Sequence, residues 1–193
     1  EPDYTALSQR GAALIHQIVG MIVNNTDVVV LTIMLGSASL VEVSVYSIYN
    51  MIVSALYTFL NVFSNGLTAG FGEVISKKED HILKESYSNF EYMYFIVFFI
   101  VCTCVAVLLL PFVKLYTMNV TDADYVRPLA AILFVAIIFL QNVRIPGMTM
   151  ICAAGHYKET QPQAIREAVI NLTISLLLVN KFKMLGVLLG TVC

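Results

Sequence analysis

The sequence predicts an all-α integral membrane protein, a polytopic bundle of five transmembrane helices plus the start of a sixth. Three observations lead there. Of 193 residues, 59% are hydrophobic and 12% charged, whereas soluble domains carry about 25% charged residues. The apolar residues come in runs near the roughly 20 residues that a membrane-spanning helix needs. Charged or turn-forming segments separate those runs. The 11 basic residues are scattered between them rather than gathered in a stripe, so the net charge of -2 gives no footprint for a nucleic acid.

The first span is predicted at 11–36 and carries Asp27. The second is predicted at 40–65, within a stretch uncharged from Val43 to Gly72 that is longer than one crossing requires. Gly66, Gly70 and Gly72 suggest that its end bends or lies along the interface. Residues 73–91 read as a cytoplasmic connector. Ile75, Ile82, Leu83 and Phe90 give it one apolar face of a surface helix, with a solvated connector as the alternative. The third span, 92–113, has no charge. The fourth, 128–155, begins on Pro128, a favoured first helical residue. The fifth is placed at 162–180, and a truncated sixth starts at 184 and runs to 193. The chain reads as a fragment of a longer transporter-like protein.

Loop charges orient the bundle. Arg10, then Lys77, Lys78 and Lys84, then Lys158 and Arg166 fall in alternate connections. The positive-inside rule therefore puts the N-terminus in the cytoplasm. Lys181 and Lys183 run against that pattern. Tyr87, Tyr92, Tyr116 and Tyr125 supply interfacial aromatics.

Catalytic chemistry finds little support. His16, His81 and His156 are dispersed, and neither a zinc-protease, a nucleophile-elbow nor a phosphate-loop motif occurs. Cys102, Cys104, Cys152 and Cys193 form no C-x-x-C pair and read as small apolar residues. Neither a metal site nor a cofactor is expected.

The charges within the spans are more informative. A charge at bilayer depth costs from about 3 to more than 10 kcal/mol unless it meets a partner, a cavity or a substrate. Arg144 lies about 24 Å along its helix from Pro128 and about 16 Å from Gly155 at 1.5 Å per residue. Gln141 and Asn142 precede it, and Pro146 and Gly147 follow, where a kink is expected. This cluster reads as an anion-binding segment, since a guanidinium matches phosphate oxygens in a fork. The alternative is a packing arginine bonded to carbonyls or to a carboxylate. Asn61 and Asn65 on the second helix join the substrate-binding set, with interhelical hydrogen bonding as the alternative. Asp27 lies about 14 Å from the end of its helix, roughly 10 Å shallower than Arg144, so no direct pair is expected. With Asn24 it reads as a protonatable or cation-coupling site, against a carboxylate merely hydrogen-bonded to its neighbours. Asn171, Thr173 and Ser175 read as interhelical glue. The Gly66/Gly70 and Gly186/Gly190 pairs both permit close helix approach.

Residues 141–191, with Arg144 and Pro146, the AAGHYKETQPQAI connection, EAVINL and GVLLGT, resemble the C-terminal half of bacterial polysaccharide flippases. These are the O-antigen and capsular-polysaccharide transporters of the multidrug/oligosaccharidyl-lipid/polysaccharide exporter superfamily. The stretch NNTDVVVLTIMLGSASLVEVSVYSIYN resembles the helix that opens the second bundle of that family. The resemblance implies the second half of a twelve-helix, two-bundle transporter in the bacterial cytoplasmic (inner) membrane. It also implies alternating access, with undecaprenyl-pyrophosphate-linked oligosaccharide as substrate and Arg144 in the cationic cavity. Its partners would be membrane lipids, the N-terminal half of the same transporter and a coupling proton or sodium ion. A cation-coupled multidrug exporter of the same superfamily, and a membrane scaffold without transport, are the alternatives.

Overall fold

The computed structural model describes residues 10–36 and 39–193, without the side chains at 10, 12, 13, 16 and 24. The described residues form seven helices: α1 (Arg10–Leu35), α2 (Ser39–Ser76), α3 (Asp80–Tyr116), α4 (Pro128–Val143), α5 (Ile145–Ala154), α6 (Tyr157–Phe182) and α7 (Met184–Val192). Four stretches are long and apolar enough to cross a membrane: α2, α3, Pro128–Ala154 and α6. A fifth span results if the two arms of α1, Gln17–Val23 and Asn25–Leu35, are joined across a 44° bend. Asn25 Nδ2 donates to the Met21 carbonyl at 2.7 Å just there, and Thr26 bonds back to Ile22. Such back-bonding to the preceding turn bends helices.

The region between the second and third spans differs from its expected form. There is no separate surface helix over 73–91. α2 runs on through Gly66, Gly70 and Gly72 to Ser76, and α3 begins at Asp80. Only Lys77–Glu79 turn, with Lys78 at φ 57°. At 38 residues, α2 is about 57 Å long, well beyond the roughly 30 Å apolar thickness of a bilayer. Aromatic packing holds the paired extensions together. Phe71 meets Phe90 at 5.8 Å between ring centres, and Phe90 meets Tyr94 at 5.9 Å. The apolar residues that suggested a surface face, Leu83 and Phe90, instead close this hairpin.

The core lies mainly at the other end. Val30 and Leu31 of α1, Val45 and Tyr49 of α2, Val113 of α3, Phe134 and Ile138 of α4 and Val179 of α6 share one core with residues of α7. Met184, Val187 and Leu188 of α7 are fully buried. Thus the short last helix is the centre of the bundle. It folds back on α6 after Lys183 (φ 49°). Gly186 and Gly190 allow the approach. A Cβ at Gly186 would lie 2.5 Å from the Leu178 carbonyl oxygen, and one at Gly190 would lie 2.2 Å from Ser175 Oγ. The matching pair on α2 does no such work: a Cβ at Gly66 or Gly70 meets nothing within 4 Å. Many large apolar side chains point outward, among them Ile100, Leu108, Leu129 and Leu177. A lipid environment accommodates that surface, and the helices satisfy their own backbone bonds. The protein is a multi-pass membrane protein.

Candidate functional site

Asp27 lies in the seam where α1 meets α6 and α7, 3% exposed. Tyr46 Oη donates to its Oδ2 at 2.9 Å. Thr191 Oγ1 sits 3.0 Å from both carboxylate oxygens, and Asn171 Nδ2 donates to that hydroxyl at 3.1 Å. Thr191 has one proton to give. It is also 3.3 Å from the Val187 carbonyl, which Ser175 Oγ approaches at 3.4 Å. The amide oxygen of Asn171 is buried without a hydrogen-bond partner. The seam therefore gathers oxygen atoms about the Asp27 carboxylate: Tyr46 Oη and Thr191 Oγ1 in contact with it, and the Val187 carbonyl beyond Thr191.

Among the described residues, Asp27 makes no ion pair. A charged carboxylate buried among neutral groups costs several kcal/mol. A proton or a cation would offset that cost. The donors are all oxygen, and no group of three or more His, Cys, Asp or Glu residues converges elsewhere among the described residues. The side chain of Asn24, expected beside Asp27, lies outside the described residues. Asn171 and Ser175, expected as interhelical glue, do bond across to α7, at Thr191 and at the Val187 carbonyl, while Thr173 bonds back to Val169 of its own helix.

Arg144 stands at the junction of α4 and α5, where the fourth span breaks. The helix is interrupted at Arg144, two residues before Pro146, and Pro128–Ala154 still reads as one span. Pro146 has no N–H for the carbonyl of Asn142, and its ring crowds that carbonyl. Tyr94 Oη of α3 donates to it instead, at 3.0 Å. Pro146 is buried, while Gly147 is exposed with open space around it.

Arg144 has a carboxylate partner, as the alternative reading of it allowed. Its Nη1 donates to Glu167 Oε1 of α6 at 2.7 Å. The two side chains remain 54% and 41% exposed, so the pair sits on an open face. Glu167 belongs to the EAVINL segment, but a boundary at Pro162 left it too close to the connection to count as a charge at depth. α6 begins at Tyr157, which draws Glu167 well into the helix.

The remaining residues expected around Arg144 are spread out. Gln141 and Asn61 are half-buried, and Asn65 is exposed. Asn142 is 1% exposed, its Nδ2 donating to the Ile138 carbonyl of its own helix at 2.7 Å. Its Oδ1 is buried and unpartnered, as is Ser64 Oγ on α2.

Asp27 and Arg144 do not pair, in line with their unequal depths. A third charge escaped the sequence reading. Glu42, near the start of α2, is 7% exposed in its side chain and takes Arg127 Nη1 at 2.8 Å. Its signal was a lone acid in a connection that carries no basic residue.

A transmembrane bundle with one carboxylate held in a hydroxyl-lined seam and one arginine at a broken span suits a transporter rather than a catalyst. The model of the MatE family matches residues 17–174. No curated protein and no solved structure matches the chain. The match spans both the Asp27 and the Arg144 positions and most of the helices described above, and on that basis the chain belongs to the MatE family of membrane transporters, within the multidrug/oligosaccharidyl-lipid/polysaccharide exporter superfamily.

Proposed function

We propose that this chain forms the second bundle of a flippase that moves undecaprenyl-pyrophosphate-linked oligosaccharide across the bacterial cytoplasmic membrane, driven by a monovalent cation. The observation that carries this reading is Arg144. It is a guanidinium at a break in a span, half-exposed, and held by a single carboxylate. A pyrophosphate bears more charge than one carboxylate and offers a fork of oxygens. It would displace Glu167 when substrate enters and release Arg144 to Glu167 when substrate leaves. Glu167 is then a placeholder that keeps the charge at depth compensated in the empty state.

The Asp27 seam supplies the coupling. Sodium suits its all-oxygen donor set, with a proton as the other candidate. Alternating access would come from movement of this bundle against the N-terminal half, with the N-terminus on the cytoplasmic side.

The test is complementation. A full transporter chain carrying Arg144→Ala should fail to restore polysaccharide export in a flippase-deficient strain. Full restoration at normal expression would remove Arg144 from the substrate site. A second reading, a cation-coupled multidrug exporter, is favoured by Glu167 itself, since an exposed carboxylate at the break could receive a cationic drug. Drug accumulation that rises in Glu167→Gln cells while polysaccharide export stays intact would select that reading.

A further inference from the structure

Glu42 lies one helical turn before Tyr46 on the buried face of α2. Its carboxylate takes Arg127 Nη1 at 2.8 Å and has Lys183 Nζ at 4.0 Å. The linker that carries Arg127 is pinned onto α2. The Arg127 backbone N–H donates to Tyr49 Oη at 3.1 Å, and that hydroxyl donates to the Tyr125 carbonyl at 2.8 Å. The carboxylate is nonetheless reachable. With Asp124, Arg127, Phe182, Lys183 and Leu185 it lines an open cavity of about 320 Å³.

This cluster is close to the Asp27 seam by two independent measures. Side chains on a helix lean toward its N-terminus, so the Tyr46 hydroxyl meets Asp27 from over the turn that carries Glu42. Lys183, the residue before α7, faces Glu42, and Thr191 near the end of α7 faces Asp27, about 12 Å further along in helix rise. Tyr46, bonded to Asp27 and one turn from Glu42 on α2, is the residue next to both carboxylates. One is at the edge of an open cavity under two cations. The other is in a seam with none.

We propose that Glu42, held by Arg127 and Lys183, is the gate through which a monovalent cation passes between the cavity and Asp27. The proposal rests on the reading of Asp27 as the coupling-ion site. While the ion pairs are closed, Arg127 and Lys183 present positive charge to the cavity and turn a cation away. When Arg127 swings off with its linker, Glu42 offers the entering cation a first carboxylate. Tyr46, already bonded to Asp27, is the step between the two.

The experiment uses the full transporter chain in liposomes, with radioactive sodium as the probe. Equilibrium binding and the rate of exchange are both read. Asp27→Asn should abolish binding. Glu42→Gln should keep the equilibrium affinity within about threefold, because the seam's donors are untouched and the lost charge is one that Arg127 already offsets. It should slow exchange about tenfold or more, because Arg127 and Lys183 then face the cavity with Asp124 as its one remaining carboxylate. Arg127→Gln should do the opposite and speed exchange by about threefold or more. Wild-type exchange rates in both variants, with binding that still depends on Asp27, would overturn the gate alone. Slowing in Arg127→Gln as well as in Glu42→Gln would overturn it too, since that marks a merely structural role. Absence of sodium binding by the wild type would overturn the Asp27 reading and the gate with it. Should Glu42→Gln fail to fold, the sign of the Arg127→Gln effect decides.

Discussion

The α1–α6–α7 seam and the α4–α5 break each hold one charge inside an apolar span, and they accommodate it in opposite ways. In the seam, glycines bring α7 so close to α6 that the surrounding polar groups are buried, and neutral hydroxyls hold Asp27. At the break, Pro146 interrupts the helix, and Arg144 faces outward with a charged partner. A closed site without an opposite charge is suited to a small cation that can lose its water. An open site with a replaceable partner is suited to a large anion that cannot be enclosed. The difference in packing density, more than the identity of the charges, separates the two roles.

Ways of breaking that contrast can be ordered by expected effect. Gly190→Ala should be the most damaging to folding. Its Cβ would lie 2.2 Å from Ser175 Oγ and 2.9 Å from the Asn171 carbonyl oxygen, so overpacking of about 1–3 kcal/mol is expected. Gly66→Ala is the control, with nothing within 4 Å. It should stabilise by about 0.5–1 kcal/mol through helix propensity. Thermal melting of the detergent-solubilised protein measures both, and equal shifts would mean that the two glycine pairs do the same work.

Next comes Tyr46→Phe, which removes one of the hydroxyls on Asp27. A hydrogen bond to a charged group contributes about 1.5–3 kcal/mol. Sodium affinity should therefore change measurably by equilibrium binding while the fold persists. Unchanged affinity would mean that Tyr46 does not shape the seam's electrostatics.

The break should respond differently. Glu167→Gln removes a pair whose members are 54% and 41% exposed, so the expected loss of stability is small, about 1 kcal/mol or less. Yet binding of a pyrophosphate-bearing lipid should tighten, because Arg144 is freed. A large fall in melting temperature with no change in lipid binding would make the pair structural. The smallest effect is expected from Tyr94→Phe. It withdraws the hydroxyl from the Asn142 carbonyl that Pro146 leaves free, a loss of about 1 kcal/mol in melting experiments.

Hydropathy alone found Asp27 and Arg144, because each stands inside an uninterrupted apolar run. It missed their partners for separable reasons. Glu167 was masked by a helix boundary drawn at Pro162, whereas α6 starts five residues earlier and runs through that proline. Thr191 ends the GVLLGT segment, but hydropathy gives it no link to Asp27, to which only tertiary folding brings it back. Pro146 announced a kink but not its place, since the break follows from which carbonyl loses its donor and which neighbour replaces it. The 73–91 segment was misjudged because charge density was taken as an end of helix. The charged residues there lie on the helices themselves, α2 running to Ser76 and α3 starting at Asp80.

The sequence by itself determined the membrane class, the approximate spans and the two intramembrane charges, because burial in lipid requires long apolar runs and makes every exception costly. Only the tertiary structure decided what each charge meets. Helix packing selects partners by which faces are brought together, as α7 does when Gly186 and Gly190 admit it beside α6. Those faces depend on residues far apart in the chain, such as Asp27 with Thr191 and Arg144 with Glu167.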